Sequence, residues 1–142
     1  MKKVNIAVIG CGRIGQMHAK NVQLHENTNL ACIYDPNDEF AKKISIDLGI
    51  QAVKNVDEIF NNDEIDAVLI SSPTNTHIDF IEKSVAAKKP VFCEKPIDLD
   101  IHKVNECSKR LEGNTIPIQL GFNRRFDPGH QAAKKSLTNG EI

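Results

Sequence analysis

The 142-residue sequence predicts an α/β fold in which a doubly wound parallel sheet is covered by helices on both faces. Short apolar runs alternate along the whole chain with stretches of helical periodicity, as they do in successive right-handed βαβ units. The first apolar run ends in a glycine-rich turn with G-x-G-x-x-G spacing, from Gly10 to Gly15. Such a turn is typical of a nucleotide-binding connection between a strand and a helix. We expect six strands in the order 3-2-1-4-5-6, numbered along the chain.

The three glycines of the opening turn have different roles. Gly10 permits a tight exit from the strand, Gly12 lets the backbone approach a pyrophosphate, and Gly15 allows close contact between helix and strand. The helix that begins near Arg13 directs unpaired N–H groups at the same phosphate. The turn is therefore predicted to bind a dinucleotide, and a chance glycine-rich turn is the alternative.

The helix after this turn is expected to run to about His25 and to cover the sheet with one broad apolar face. That face comprises Ile14, Met17, Val22 and Leu24. A second strand, residues 30–34, then leads into Asp35-Pro36, where the proline stops the strand and keeps the aspartate extended.

Asp35 stands 20 positions after Gly15, where an acidic side chain can accept hydrogen bonds from both hydroxyls of an adenosine ribose. A 2′-phosphate at that place would face a like charge, so Asp35 favours NAD over NADP. The alternative is a solvated carboxylate at the end of a strand, because Asp-Pro is also a common turn.

The remaining elements follow the same alternation. A second helix is predicted at residues 40–48, ended by Gly49. Four strands are predicted after it, at residues 51–53, 66–70, 90–93 and 116–121. A short helix at 57–60 lies between the first two of these strands. A polar turn at 71–77 with a helix after it precedes the strand at 90–93, and a helix capped by Asp98 or Asp100 precedes the last strand. Pro117 places the sixth strand at an edge or delays its start, and Asp127-Pro128 is suited to cap and open one last helix.

The fifth strand leads into Glu94-Lys95-Pro96. A lysine at the carboxyl end of a strand, near a nicotinamide, can hydrogen-bond a substrate hydroxyl and stabilise the developing alkoxide. Glu94 is suited to orient Lys95 or to accept from the ribose or the carboxamide. A surface Glu–Lys pair is the alternative.

The sequence alone leaves two alternative roles for each of two further candidate sites. His77 near a helix start either touches substrate or nicotinamide, or serves as a cap or loop packer. The run Asn123-Arg124-Arg125 is suited to bidentate recognition of hydroxyls or carboxylates, or is a basic surface turn.

Composition excludes several classes of partner. With 18 basic and 19 acidic residues the formal net charge is −1, so nothing in the charge balance favours a nucleic acid or an anionic membrane. No apolar run approaches the ~20 residues of a membrane span, and we expect a cytoplasmic protein whose partners are small molecules or proteins. The four cysteines lack metal-ligand spacing, so we expect reduced structural thiols and no metal site.

With these residues in hand, the chain resembles the inositol dehydrogenase and glucose-fructose oxidoreductase (Gfo/Idh/MocA) family over residues 4–142. Four motifs carry the resemblance: Gly-Cys-Gly-Arg-Ile-Gly, Ser-Pro-Thr-Asn-Thr-His, Glu-Lys-Pro and Gly-Phe-Asn-Arg-Arg-Phe-Asp. Glu-Lys-Pro is the signature of the family, and the last motif is similar to that of enzymes that oxidise a ring hydroxyl of myo-inositol to the 2-ketone with NAD.

The resemblance implies a Rossmann domain at residues 1–122 and a connecting segment and helix at 123–142. It implies that Lys95 is catalytic and contacts substrate, and that Arg125 faces the substrate, a polyol or sugar. It also implies the following cofactor contacts: Gly10, Gly12, Arg13, Ile14, Gly15, Asp35, Ser72, His77, Glu94 and Asn123.

Members of that family have a second domain, which supplies most of the substrate pocket, an aspartate–histidine pair for acid–base chemistry, and the interface of a homo-oligomer. We expect that domain to be missing from these 142 residues, and the chain alone to be inactive. A free-standing module that binds or senses a dinucleotide is the alternative function.

Overall fold

The structure is a computed structural model that describes residues 2–142. Its described part forms five parallel strands and six α-helices, with two short 3₁₀ turns before α4 and α6. The strands are β1 (Val4–Ile9), β2 (Thr28–Tyr34), β3 (Ala67–Ile70), β4 (Val91–Cys93) and β5 (Ile118–Leu120). The helices are α1 (Arg13–Leu24), α2 (Asp38–Leu48), α3 (Asp57–Phe60), α4 (His77–Ala86), α5 (Ile101–Arg110) and α6 (Pro128–Thr138).

The sheet has the order β2-β1-β3-β4-β5, and every neighbouring pair is parallel. The predicted doubly wound fold is therefore confirmed. The short third strand expected at residues 51–53 is reduced to a single parallel bridge between Ala52 and Ile33 of β2. This three-residue segment lies beyond the edge of β2. The N–H groups of Lys54 and Asn55 then donate to Oε1 of Glu58 in α3, so the chain turns into that helix instead of extending the ladder. With that bridge counted, the strand order is the one predicted.

Side chains alternate across the sheet into two apolar layers. Ala7 and Ile9 of β1 join a cluster that includes Ile81 of α4. Val8, between them, joins a second cluster on the opposite face, which contains Ala19 of α1 and Ile44 of α2. Because both faces of β1 are covered, its apolar run is nearly continuous, as expected for a central parallel strand.

The predicted apolar face of α1 is confirmed only at Val22. The buried residues of this helix are Gly15, Ala19 and Val22, whereas Met17 is 46% exposed and Leu24 is 83% exposed. Small residues at Gly15 and Ala19 let the helix lie close against β1, and this close approach selects a different face from the one that bears the largest apolar side chains.

Helix termini follow their sequence signals. Asp100 caps α5 by accepting from the His102 N–H at 2.8 Å, so the cap is Asp100 rather than Asp98. Asp127 caps α6, with Pro128 in its first turn. Gly49 ends α2 in the left-handed conformation, with φ of 63°.

The carboxyl-terminal part is the least buried. β5 begins after Pro117 and lies at the edge of the sheet, as predicted, and α6 buries none of its residues. No helix within residues 2–142 combines the length and apolar character required to cross a membrane. The domain boundary at residue 122 stays a prediction.

Candidate functional site

A cavity of about 440 Å³ opens at the carboxyl ends of β1, β2 and β3. In a doubly wound sheet this edge, where the strand order reverses, is where ligands bind. The cavity brings together six of the predicted site residues: Gly10, Gly12, Arg13, Ile14, Asp35 and Ser72. Most of the remaining lining is apolar, with Phe40 and Phe80 among it, and Ser71 and Thr76 add hydroxyl groups.

Two glycines of the turn are required by the packing of the protein itself. Gly10 has φ of 96°, and a Cβ built on it would collide with the backbone of Ser71 and Ser72. A Cβ on Gly15 would collide with the carbonyl of Gly10. These two glycines therefore hold α1 and the loop after β3 against the end of β1.

Gly12 is different, because a Cβ built on it would meet no atom within 4 Å. The residue immediately precedes α1, whose first-turn N–H groups have no partners within the helix. The protein leaves open the space above Gly12 and lines it with backbone donors at the positive end of the helix dipole, an arrangement that fits a pyrophosphate.

Asp35 is fixed by two backbone donors. Its Oδ2 accepts from the Cys11 N–H at 2.7 Å, and its Oδ1 accepts from the Asn37 N–H at 2.8 Å. The half-buried carboxylate thus ties the end of β2 to the glycine turn, and each oxygen keeps a second lone pair for a ribose hydroxyl.

His77 lies at the start of α4 and is 2% exposed. Its Nδ1 is 2.7 Å from the Pro96 carbonyl oxygen and its Nε2 is 2.8 Å from the Ser72 carbonyl oxygen. The ring thereby joins the loop after β3 to the loop after β4. This geometry favours the loop-packing alternative, and a ligand contact by His77 stays a prediction.

Glu94 follows β4, and both oxygens of its carboxylate are engaged. Oε1 is 2.8 Å from Nε2 of His18, and Oε2 accepts from the Lys95 N–H at 3.3 Å. The side chain of Lys95 is exposed, and the peptide bond to Pro96 is cis. Within residues 2–142 the Lys95 ammonium has no hydrogen-bond or ion-pair partner, so it is available to a ligand.

Sequence reasoning missed His18 as a site residue. His18 has no metal-ligand spacing, but its side chain is only 15% exposed and reaches Glu94 at the end of β4. No sequence signal shows this contact, since 76 positions separate the two partners.

The two predicted residues of the run after β5 lie in different places. Asn123 lines a second cavity, of about 330 Å³, together with His18 and Glu94. Arg125 instead lines a shallow basic depression along α6, of about 660 Å³, with Lys134 and Lys135. A substrate contact by Arg125 stays a prediction.

The four thiols are free and buried. Burial, and then the nearby Asp35, raise the pKa of Cys11 to about 12. Burial, and then Glu94, raise the pKa of Cys93 to about 12. Both thiols are therefore protonated at neutral pH and are not nucleophiles. In the part of the chain described, no three His, Cys, Asp or Glu side chains are grouped closely enough to hold a metal ion.

Comparison with known proteins agrees with this geometry. Residues 4–122 match the Gfo/Idh/MocA family, described as "Oxidoreductase family, NAD-binding Rossmann fold". The inositol 2-dehydrogenase of Rhizobium meliloti is 40% identical over 139 residues, 98% of this chain and 42% of that protein. The scyllo-inositol 2-dehydrogenase (NAD(+)) of Bacillus subtilis is 37% identical over 142 residues, 99% of this chain and 42% of that protein.

A solved structure gives the same result. The crystal structure of scyllo-inositol dehydrogenase from Lactobacillus casei, with bound NAD(H) and scyllo-inositol, superposes with a TM-score of 0.88 at 33% identity. It covers 99% of this chain, which spans 42% of that protein. The resemblance found in the sequence is confirmed, and so is the predicted cofactor, NAD. The chain belongs to the Gfo/Idh/MocA oxidoreductase family and forms its NAD-binding Rossmann domain.

Proposed function

We propose that the chain is the NAD-binding part of a dehydrogenase that oxidises a secondary hydroxyl of a cyclic polyol, myo-inositol to its 2-ketone. The observation that carries the proposal is the convergence of the glycine turn, Asp35 and the Ser72 loop on one cavity, with Lys95 at the end of the next strand. The inositol dehydrogenases among the relatives support the substrate class.

The residues of the cavity fit the parts of a dinucleotide. The pyrophosphate lies over Gly12 at the start of α1, and Asp35 accepts hydrogen bonds from the adenosine ribose. Arg13 and Ile14 flank the phosphates, while Ser72, Glu94 and Asn123 contact the other half. His77 contributes by holding the loops on which Ser72 and Pro96 lie.

NAD, when bound, supplies the hydride acceptor. Lys95 donates a hydrogen bond from its ammonium to the oxygen of the reacting hydroxyl and stabilises negative charge that develops there. Arg125 contacts other hydroxyls of the substrate through its planar guanidinium. Acid–base chemistry on the hydroxyl proton needs a further pair of side chains, so we expect the 142 residues alone to bind NAD without turnover.

The protein that contains this domain is proposed to be a cytoplasmic homo-oligomer. The four free, buried thiols support a reducing compartment. The oligomer is inferred from the resemblance to the family, and light scattering of the natural protein tests it.

Calorimetry with NADH and NADPH tests the cofactor site. The wild-type chain is expected to bind NADH more tightly than NADPH, and Asp35→Ala is expected to weaken NADH about tenfold, since two ribose hydrogen bonds are lost. Because Asp35→Ala also removes the acceptor of the Cys11 N–H, Asp35→Asn is the matched variant. It keeps one oxygen acceptor for the Cys11 N–H and loses both the charge and the acceptor of the Asn37 N–H, so the preference for NADH is expected to shrink.

Asp63→Ala is the control for net charge. Asp63 is exposed in the loop before β3, at the opposite edge of the sheet, and its loss is expected to leave both affinities unchanged. Equal NADH affinity of wild type and Asp35→Ala would remove the ribose contact from the proposal.

A further inference from the structure

We propose that His18 is a positioning residue for the nicotinamide ring of the cofactor, acting through Glu94. The inference rests on the proposed function. His18 lies on α1, the helix that begins at the glycine turn, and its Nε2 is 2.8 Å from Oε1 of Glu94 at the end of β4. The pair thus connects the phosphate-binding helix directly to the segment that contains Lys95.

The location of the pair points to the nicotinamide half. The strand order reverses beside β1, so a dinucleotide spans the strands on both sides of it. Asp35 places the adenosine ribose on the β2 side, and the pyrophosphate lies over the glycine turn. The remaining half therefore extends over β3 and β4, toward Glu94.

Packing holds the pair in one geometry. The side chains of His18 and Glu94 are 15% and 22% exposed. The imidazole contacts the ring of Phe92 edge-on, with 5.5 Å between centroids. A Cβ on Gly121 would lie 3.1 Å from Oε2 of Glu94, so the backbone directly after β5 passes close to the carboxylate.

The consequence for Glu94 is a fixed orientation. With Oε1 engaged by His18, Oε2 is left facing the Lys95 N–H, at 3.3 Å. Without the imidazole, the carboxylate is free to rotate about its side chain and no longer presents one oxygen to the backbone of Lys95. Groups that the nicotinamide half meets at this strand end are then less ordered before binding, which lowers affinity.

A pair of ligands separates this role from a general effect on the fold. NADH and ADP-ribose share the adenosine, the pyrophosphate and the second ribose, and differ by the nicotinamide. His18→Phe keeps an aromatic ring against Phe92 but loses the donor to Glu94. It is expected to weaken NADH about fivefold and to leave ADP-ribose unchanged.

His18→Gln is the conservative variant, because its amide N–H retains a donor for Glu94, and it is expected to keep NADH affinity within about twofold of wild type. Lys20→Ala, on the exposed side of the same helix, is the matched control and is expected to change neither affinity. In a Glu94→Ala background, His18→Phe is expected to have no further effect on NADH.

Glu94→Ala alone keeps the test decisive if His18→Phe does not fold, because it must also weaken NADH and spare ADP-ribose. Equal losses for the two ligands, or full NADH affinity in either variant, overturn the positioning role. If the wild-type chain binds neither ligand, both the proposed function and the role of His18 are overturned. If the wild-type chain binds both ligands and His18→Phe binds them with the same affinities, only the role of His18 is overturned.

Discussion

Two lysines flank β4, and their surroundings differ completely. Lys89, before the strand, is 5% exposed, and its ammonium donates to the carbonyl oxygens of Asn62 and Ile65, both at 2.8 Å. Lys95, after the strand, is exposed and has no protein partner within the described residues. At the amino edge of the sheet the fold satisfies the ammonium of Lys89 itself, whereas at the carboxyl edge the ammonium of Lys95 has no partner among the described residues. The contrast separates a lysine that the fold uses from the one that is proposed to be catalytic.

The largest expected effect lies within the glycine turn. Gly15 is required by the packing of the protein, whereas Gly12, three residues earlier, leaves space for a ligand. Gly15→Ala places a methyl against the Gly10 carbonyl and is expected to lower the free energy of unfolding by about 3 kcal/mol or more. Gly12→Ala meets no protein atom and is expected to keep the unfolding midpoint while weakening NADH. Urea unfolding and calorimetry check the pair. Similar stability of the two variants would contradict the distinction.

The two lysines provide the next test. Lys89→Met removes two charge-assisted hydrogen bonds, so we expect a loss of about 2 kcal/mol in the free energy of unfolding. The Ile65 carbonyl oxygen loses its side-chain donor, whereas the Asn62 carbonyl oxygen still accepts from the Ile65 N–H at 3.1 Å. Lys95→Met is expected to change that free energy by less than about 0.5 kcal/mol, because its ammonium stabilises nothing in the fold. Thermal unfolding measures both. Comparable losses would show that Lys95 also has a structural role.

The smallest effect concerns Lys88, which precedes the buried lysine and has φ of 58°. Lys88→Gly relieves the left-handed strain and is expected to raise the free energy of unfolding by about 1 kcal/mol. Lys88→Ala, which retains a Cβ, is the control and is expected to give no such gain. A destabilised Lys88→Gly would mean that the exposed side chain itself holds the turn before β4.

Local signals predicted most of the fold. The Asp-Pro pairs, Gly49 and the apolar runs act within a few residues of themselves, so strands, helices and caps were readable from spacing. The predictions were wrong where tertiary packing, and not the local sequence pattern, decides which residues pair or become buried. The segment around Ala52 has strand character but only one neighbour to pair with, and α1 lies on its smallest residues because Gly15 permits a close approach.

The candidate site divides in the same way. The glycine turn, Asp35 and Lys95 could be predicted as candidate site residues from spacing alone, since each depends on a residue type at a fixed distance from a strand end. Only the tertiary structure distinguished Gly12 from Gly15, placed His77 between two loops and joined His18 to Glu94. These contacts join segments that are distant in the sequence and that the order of the strands brings together. The local sequence of either segment does not show which other segment it contacts.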